Sequence, residues 1–303
     1  MSSTTQAPTF PLVRPLDTGA IALIVFMCFF WGLNQVAIKF SLPDFPPLMQ
    51  VAVRTGGGLL VVLAWAWFRG VKLFERDGTL VPGLISGALF GLEFVFIFPG
   101  LQFTTASRAS LFVYTAPFFV ALGAKWFIPN ERIGAMQWIG LALCFAGLAA
   151  AIGIPQADVD ARVLLGDLMV LAGAATWGAT TLVVKGSRLS AIAPEKTLIY
   201  QLAVSVPIFI AMSVLTGERI DHAPGFTASA WLFYQVLVVG VTFPVWFMLI
   251  QRFSATRVSA FTVLTPLFGV AAGCVLLWEP FTAAFAIAVV LVAAGLVLVN
   301  RRA

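Results

Sequence analysis

Two nine-residue stretches decide the fold of this chain: WGLNQVAIK at residues 31–39 and WGATTLVVK at residues 177–185. Both have Trp, Gly and Lys at the same internal positions, and the stretches are 146 residues apart. Each ends a long apolar segment, which predicts that two related halves of the chain begin with similar hydrophobic helices. The stretches differ in their polar pairs, which are Asn34–Gln35 in the first and Thr180–Thr181 in the second.

The similarity continues well beyond these stretches. Residues 90–119 overlay residues 239–268 at an offset of 149 without a gap, and ten of the thirty pairs are identical. Compositional bias alone predicts scattered matches without a common offset. We therefore interpret the chain as an internal duplication. The identical pairs include polar residues and a proline: Gln102 and Gln251, Arg108 and Arg257, Ser110 and Ser259, Pro117 and Pro266.

The composition indicates a membrane protein. The 303 residues are 60% hydrophobic and only 10% charged, whereas a soluble protein has about 25% charged residues. A membrane span needs about 20 mostly apolar residues. Ten segments qualify, and we number them as spans 1 to 10: residues 18–40, 47–68, 80–100, 105–127, 132–152, 164–186, 195–216, 228–250, 258–278 and 281–300.

The distribution of positive charge predicts the orientation. With the N-terminus inside, thirteen Lys and Arg residues lie near the inner ends of the spans and four near the outer ends. Because Lys and Arg concentrate on the cytoplasmic side, both termini are expected in the cytoplasm, and the net charge of +5 does not indicate nucleic-acid binding. Residues 1–17 are polar and are expected to form a disordered tail.

The halves, residues 18–152 and 164–300, have five spans each, so the second enters the membrane from the opposite side. Such inverted repeats are typical of transporters, where they place a site near the bilayer midplane. A membrane enzyme or a structural or receptor protein is the alternative from another class. The sequence has no P-loop, a single histidine and scattered cysteines and carboxylates. It therefore predicts no enzyme activity, no metal and no cofactor.

The order of several motifs resembles the EamA family of the drug/metabolite transporter superfamily. Trp–Gly begins each half, Arg54 follows early in span 2, and similar polar segments precede Pro117 and Pro266 in spans 4 and 9. Within that family the chain looks most like YddG-type exporters of aromatic and other amino acids. One departure is Gln201, which stands in the second half where the first half has Arg54.

This resemblance implies an all-α basket of ten helices around a central cavity lined by spans 1, 3, 4, 6, 8 and 9. It also implies a monomer in the bacterial inner membrane that exports amino acids by alternating access, with a small molecule as its partner. Export of other organic solutes, such as a cationic drug or a nucleotide-linked sugar, is the alternative. The coupling ion stays open.

Ionisable side chains inside a span are costly and usually functional. Arg54 and Glu93 each lie seven residues from the outer end of their span, which is about 10 Å deep at 1.5 Å per residue. One hypothesis is that the two form an ion pair. The other is that Arg54 snorkels or binds helix-end carbonyls, while Glu93 lines the cavity alone.

Further candidates for substrate contact lie on spans 1, 4 and 6. An amide in a membrane helix needs a partner, and aromatic rings can form a cavity wall. Packing is the alternative for each. These candidates are Trp31, Asn34, Gln35, Tyr114, Trp177, Thr180 and Thr181, of which the threonines are weaker because Thr often bonds to its own helix.

Two further pairs of repeated residues have expected roles in structure and gating. Pro117 and Pro266 should kink equivalent spans, either as hinges or as static bends. Lys39 and Lys185 are expected only to mark the ends of spans 1 and 6, and Lys39 is expected to snorkel toward water.

Overall fold

A computed structural model describes residues 15–101, 103–104, 109, 112–128, 133–152, 160–276 and 283–301. Its regular elements are helices joined by short connections, as the apolar segments predict. The longer helices, with the segments of spans 8 and 9 given separately, are Thr18–Ser41, Pro47–Phe68, Leu80–Leu101, Ala116–Phe127, Ala135–Ile152, Ala161–Gly186, Pro194–Leu215, Phe226–Leu237, Phe243–Arg252, Ala255–Ala260, Leu264–Leu276 and Ala283–Asn300.

Within the described residues, seven helical segments are long and apolar enough to cross a membrane, and they fall on spans 1, 2, 3, 6, 7, 8 and 9. Shorter apolar helices, Ala116–Phe127, Ala135–Ala150 and Ala286–Asn300, fall on spans 4, 5 and 10. The chain is therefore an all-helical protein whose helices coincide in position with the predicted spans.

Prolines interrupt equivalent spans at equivalent positions. Pro117 is the second residue of the helix Ala116–Phe127, which follows a turn at residues 114–115. Pro266 is the third residue of Leu264–Leu276, which follows the 3₁₀ turn Phe261–Val263. Because proline lacks an N–H group, it is tolerated in the first turn of a helix but not in its interior. Spans 4 and 9 therefore restart as helices at these prolines.

Span 8 has a different interruption, a π turn at Val238–Thr242 between two α-helical segments. Pro244 follows as the second residue of Phe243–Arg252. A π turn inserts one extra residue into the helix and is often found at functional sites. It changes which side chains span 8 presents to its neighbours.

The packing of the helices respects the repeat. Span 2 packs against span 7, and span 5 against span 10. Span 1 packs against span 9 and span 6 against span 4, while span 3 packs against span 6 and span 1 against span 8. When each span is exchanged for its equivalent in the other half, the 2–7 and 5–10 contacts are unchanged. The 1–9 contact becomes the 6–4 contact, and the 3–6 contact becomes the 8–1 contact.

Two glycines show this relation at atomic detail. A Cβ atom at Gly32 would lie 2.6 Å from the Cβ of Phe268, and a Cβ at Gly178 would lie 2.7 Å from the Cβ of Phe119. Both glycines follow the repeated tryptophans, and the two phenylalanines are a pair of the 149-residue overlay. Glycine thus permits the same close approach of two helices in each half.

A polar network joins the span 2–3 connection to the start of span 7. The Lys196 Nζ lies 2.7 Å from Asp77 Oδ2, and the Thr79 hydroxyl and N–H donate to Asp77 Oδ1. Burial raises the pKa of Asp77, but these contacts outweigh burial and lower the pKa to about 2. The neighbouring Glu195 accepts a hydrogen bond of 3.2 Å from Trp65 Nε1.

At the opposite end of the bundle, Glu218 accepts hydrogen bonds from the first N–H groups of span 2, those of Leu48 and Met49. A carboxylate at a helix N-terminus satisfies donors that have no partner inside the helix. Both ends of the span 2–span 7 pair are therefore held by polar contacts between connections.

Candidate functional site

Arg54 on span 2 and Glu93 on span 3 are both buried, each with a relative exposure of 9%. No nitrogen–oxygen distance between them falls within the 4.0 Å of an ion pair. Arg54 Nε is fully enclosed without a hydrogen-bond partner, and Glu93 forms no hydrogen bond with the described residues. A direct ion pair is therefore wrong for this structure, and so is the binding of Arg54 to helix-end carbonyls.

The aromatic ring of Phe94 lies beside the guanidinium of Arg54, with 5.1 Å between the Arg54 Cζ and the ring centroid. This distance is within the range of a cation–π contact. Phe94 also has an edge contact with Phe209 of span 7, at a centroid distance of 5.5 Å. The guanidinium is thus held against an aromatic surface, while its N–H groups have no acceptor.

A string of aromatic rings leads from Phe94 toward span 1. Phe94 contacts Phe90 at 5.4 Å between centroids, and Phe90 contacts Phe243 of span 8 at 6.4 Å. Phe243 contacts Trp31 at 5.7 Å, and Trp31 contacts Trp246 at 5.3 Å. Aromatic rings therefore surround Trp31, as both the cavity wall and the packing alternative predict, and they extend to Arg54 through side chains that the sequence did not single out.

The indole of Trp31 is anchored by a hydrogen bond. Its Nε1–H donates to the Thr242 Oγ1 at 2.7 Å, and the Thr242 hydroxyl donates to the Val238 carbonyl at 2.6 Å. Thr242 is the repeat equivalent of Glu93, and Trp177 is the repeat equivalent of Trp31. The corresponding hydrogen bond from Trp177 to Glu93 is not formed.

Trp177 instead contacts Tyr114 of span 4, at 6.1 Å between ring centroids and an interplanar angle of 70°. Tyr114 is buried. The structure thus brings these two predicted residues together, but it gives no contact between them and Trp31.

The polar residues of the two opening stretches have different environments. Asn34 is buried, and its Oδ1 is enclosed without a hydrogen-bond partner. Thr180 and Thr181 donate to the carbonyls of Thr176 and Trp177 on their own helix, at 2.9 and 3.3 Å. The side chain of Gln35 lies outside the described part of the structure. The Asn34 carbonyl oxygen therefore has an unmet hydrogen-bonding capacity, whereas the hydroxyls of the two threonines are already bonded.

Lys185 does more than mark the end of span 6. Lys185 is only 4% exposed, and its ammonium donates to the carbonyls of Gln251 at 2.7 Å and Phe253 at 2.9 Å. These carbonyls end the last helix of span 8, where backbone oxygens lack partners within the helix. The repetition of a lysine in both Trp–Gly stretches was the sequence signal that could have identified Lys185 as a structural residue. The side chain of Lys39, its equivalent, is outside the described residues.

Comparisons with known proteins agree with this architecture. The sequence profile of the EamA-like transporter family matches residues 18–153 and 164–301. A solved crystal structure covers 93% of this chain and 96% of its own length with a TM-score of 0.79, at 22% identity, which shows the same fold.

Relatives of similar length have names that describe transporters. A protein of Salmonella typhimurium named "Probable amino-acid metabolite efflux pump" is 30% identical over 92% of this chain and 93% of its own. The "Uncharacterized transporter YvbV" of Bacillus subtilis is 29% identical over 94% and 92%. The "Uncharacterized inner membrane transporter YedA" of Escherichia coli is 26% identical over 87% and 83%.

Proposed function

The chain belongs to the EamA-like transporter family and is a multi-pass membrane transporter, and from this premise we propose that it exports amino acids and related small metabolites across a bacterial inner membrane. The relatives named as amino-acid metabolite efflux pumps support this substrate class. The relative named as an inner membrane transporter supports the location.

The proposed topology is ten spans in two inverted halves of five, with both termini in the cytoplasm. The reciprocal packing of the spans supports it, as does the matched close approach at Gly32 and Gly178. Halves of this kind can open a shared site alternately to the two sides of the membrane. The helix restarts at Pro117 and Pro266 are the proposed hinges of this motion, because a span that is interrupted there bends at little cost.

One observation carries the proposal most directly. Arg54 Nε and Asn34 Oδ1 are enclosed without a hydrogen-bond partner, and the buried Glu93 forms no hydrogen bond with the described residues. Such groups cost free energy in the folded state. A substrate that supplies the missing partners would offset this cost. We therefore place the substrate site along these residues and the aromatic string, with Trp31, Gln35, Tyr114 and Trp177 as further contacts and Thr180 and Thr181 as weaker ones.

The test is uptake by proteoliposomes that contain the purified protein. The panel combines radiolabelled amino acids with organic cations and a nucleotide-linked sugar, with and without a pH gradient, and protein-free liposomes are the control. We expect movement of at least one amino acid above the control. If only the cations or the sugar move, the amino-acid assignment is wrong. If the pH gradient changes the rate, Glu93→Gln tests whether that carboxylate carries the proton.

A further inference from the structure

Arg54 and Glu93 are both buried, and neither has a direct hydrogen-bond or ion-pair partner among the described residues. They lie on consecutive spans, and Phe94, the residue that follows Glu93, lies against the guanidinium of Arg54, yet Arg54 and Glu93 form no ion pair. Direct pairing is the least costly arrangement for two opposite charges in a dry interior. Holding them apart is therefore useful only if something binds between them.

The contacts around Arg54 fix its orientation. Phe94 lies beside the guanidinium, and Phe94 is itself held by edge contacts with Phe90 and Phe209. The Arg54 Nε is enclosed and has no acceptor. A guanidinium presents a planar set of N–H donors that matches the two oxygens of a carboxylate. The missing partner of Arg54 is thus an anionic group with two oxygens.

The surroundings of Glu93 point to the opposite charge. Its carboxylate has no donor among the described residues. Its repeat equivalent, Thr242, accepts a hydrogen bond from the Trp31 indole. Carboxylates accept hydrogen bonds from ammonium groups. The missing partner of Glu93 is thus a cationic donor.

We propose that Arg54 and Glu93 together recognise a zwitterion, in which a carboxylate binds Arg54 and an ammonium group binds Glu93. This inference rests on the proposed function and adds to it the residues that read the two charges of the substrate. The apolar remainder of the substrate then lies along Phe90 and Phe243, the rings that continue from Phe94. Neither charge of the substrate is left without a partner in the membrane interior.

The experiment uses three compounds of nearly equal shape. Leucine has both charges, 4-methylpentanoate lacks the ammonium group, and 3-methylbutylamine lacks the carboxylate. Each competes with a radiolabelled amino acid for the purified, detergent-solubilised protein, which avoids the leak of the amine through lipid. For the wild type we expect leucine to bind about tenfold more tightly, or better, than either analogue, because each analogue leaves a buried charge unpaired.

The variants assign each charge to a residue. Arg54→Gln should abolish the preference for leucine over 3-methylbutylamine and keep the preference over 4-methylpentanoate. Glu93→Gln should have the opposite pattern. Arg54→Lys keeps the charge without the planar donors and should give an intermediate ratio. Lys72→Gln is the matched control, because Lys72 pairs only with exposed Glu75 in a connection, and all ratios should stay at wild-type values.

The outcomes separate this inference from the proposed function. If the wild type binds no amino acid, the proposed function fails. If it binds leucine but both variants keep the wild-type ratios, the transporter assignment stands and the zwitterion site is wrong. Equal loss of all three compounds in both variants also overturns the inference, because it indicates a structural role. Thermal melting monitors folding, and if Arg54→Gln does not fold, Arg54→Lys and Glu93→Gln decide.

Discussion

Within the described part of the chain, Arg54 and Glu93 of the first half have no hydrogen-bond partner, whereas their repeat equivalents, Gln201 and Thr242, each form a hydrogen bond. Gln201 Nε2 donates to Ser86 Oγ at 2.6 Å, and Thr242 accepts from Trp31. The duplicated halves thus share their helix packing and differ in the polar side chains at equivalent places. We propose from this difference that the first half supplies the charged binding groups, while the equivalent polar residues of the second half stabilise the fold.

This comparison has a direct consequence for stability. A buried polar group that is bonded inside the protein should stabilise the fold, and its removal should lower the melting temperature. Removal of a polar group whose partner is the substrate should weaken substrate binding and leave the melting temperature nearly unchanged. The following predictions challenge this division, from the largest expected effect to the smallest.

Lys185→Met should have the largest effect on stability. It leaves the carbonyls of Gln251 and Phe253 without their donor, and each hydrogen bond to a charged group contributes about 1.5–3 kcal/mol. We expect the melting temperature of the purified protein to fall by several degrees. Lys125→Met is the control, since Lys125 is exposed at the end of span 4. Equal melting of both variants would show that the Lys185 contacts are dispensable.

Asp77→Asn should have the next largest effect, because buried Lys196 loses its ionised partner. The loss is about 1.5–3 kcal/mol at most, and less where water reaches the carboxylate. Asp77 has a folded-state pKa of about 2, below its ordinary value of 3.8. Its stabilisation is therefore complete above pH 4 and disappears as the pH falls toward 2.

Melting of the wild type and Asp77→Asn at a series of pH values measures this effect. The difference between them should be constant near neutral pH and shrink below pH 4. Glu75→Gln, in the exposed pair with Lys72, should melt like the wild type. A difference between wild type and Asp77→Asn that grows on acidification would contradict the assigned direction of the pKa shift.

Thr242→Val should lower stability by about 0.5–1.5 kcal/mol, because the Trp31 indole loses its acceptor. Thr242→Ser keeps the hydroxyl and should retain most of the stability. Glu93→Gln, at the equivalent position of the other half, should melt within a degree or two of the wild type. If Glu93→Gln destabilises more than Thr242→Val, the division between binding groups in the first half and stabilising groups in the second is wrong.

The double change Gln201→Leu with Ser86→Ala should have the smallest effect. It removes both partners of one buried hydrogen bond, together with the Gln201 Oε1, which has no partner. Removal of both partners is nearly neutral when the shape is kept. Either single change leaves one polar group alone and should melt at a lower temperature than the double variant.

Much of the architecture was predictable because it depends on patterns along the chain. Apolar length located the helices, and the 149-residue overlay identified Pro117 and Pro266 as equivalent interruptions. The repeated Trp–Gly pairs proved to be places of close helix approach. For the candidate site, the cost of burying ionisable side chains singled out Arg54 and Glu93. The aromatic side chains Trp31, Trp177 and Tyr114 predicted an aromatic surface.

The sequence by itself thus determined that this protein is an all-helical, duplicated membrane transporter and which residues are costly to bury. Only the tertiary structure decided which of those costs are offset inside the protein. Lys185 donates hydrogen bonds to backbone carbonyls of span 8, and Trp31 donates one to the hydroxyl of Thr242. Both contacts join residues that are far apart in the chain. Arg54 and Glu93 have no such hydrogen bond among the described residues. The sequence could not predict these differences, because a hydrogen bond depends on the distance between two atoms in space, which no spacing along a sequence specifies.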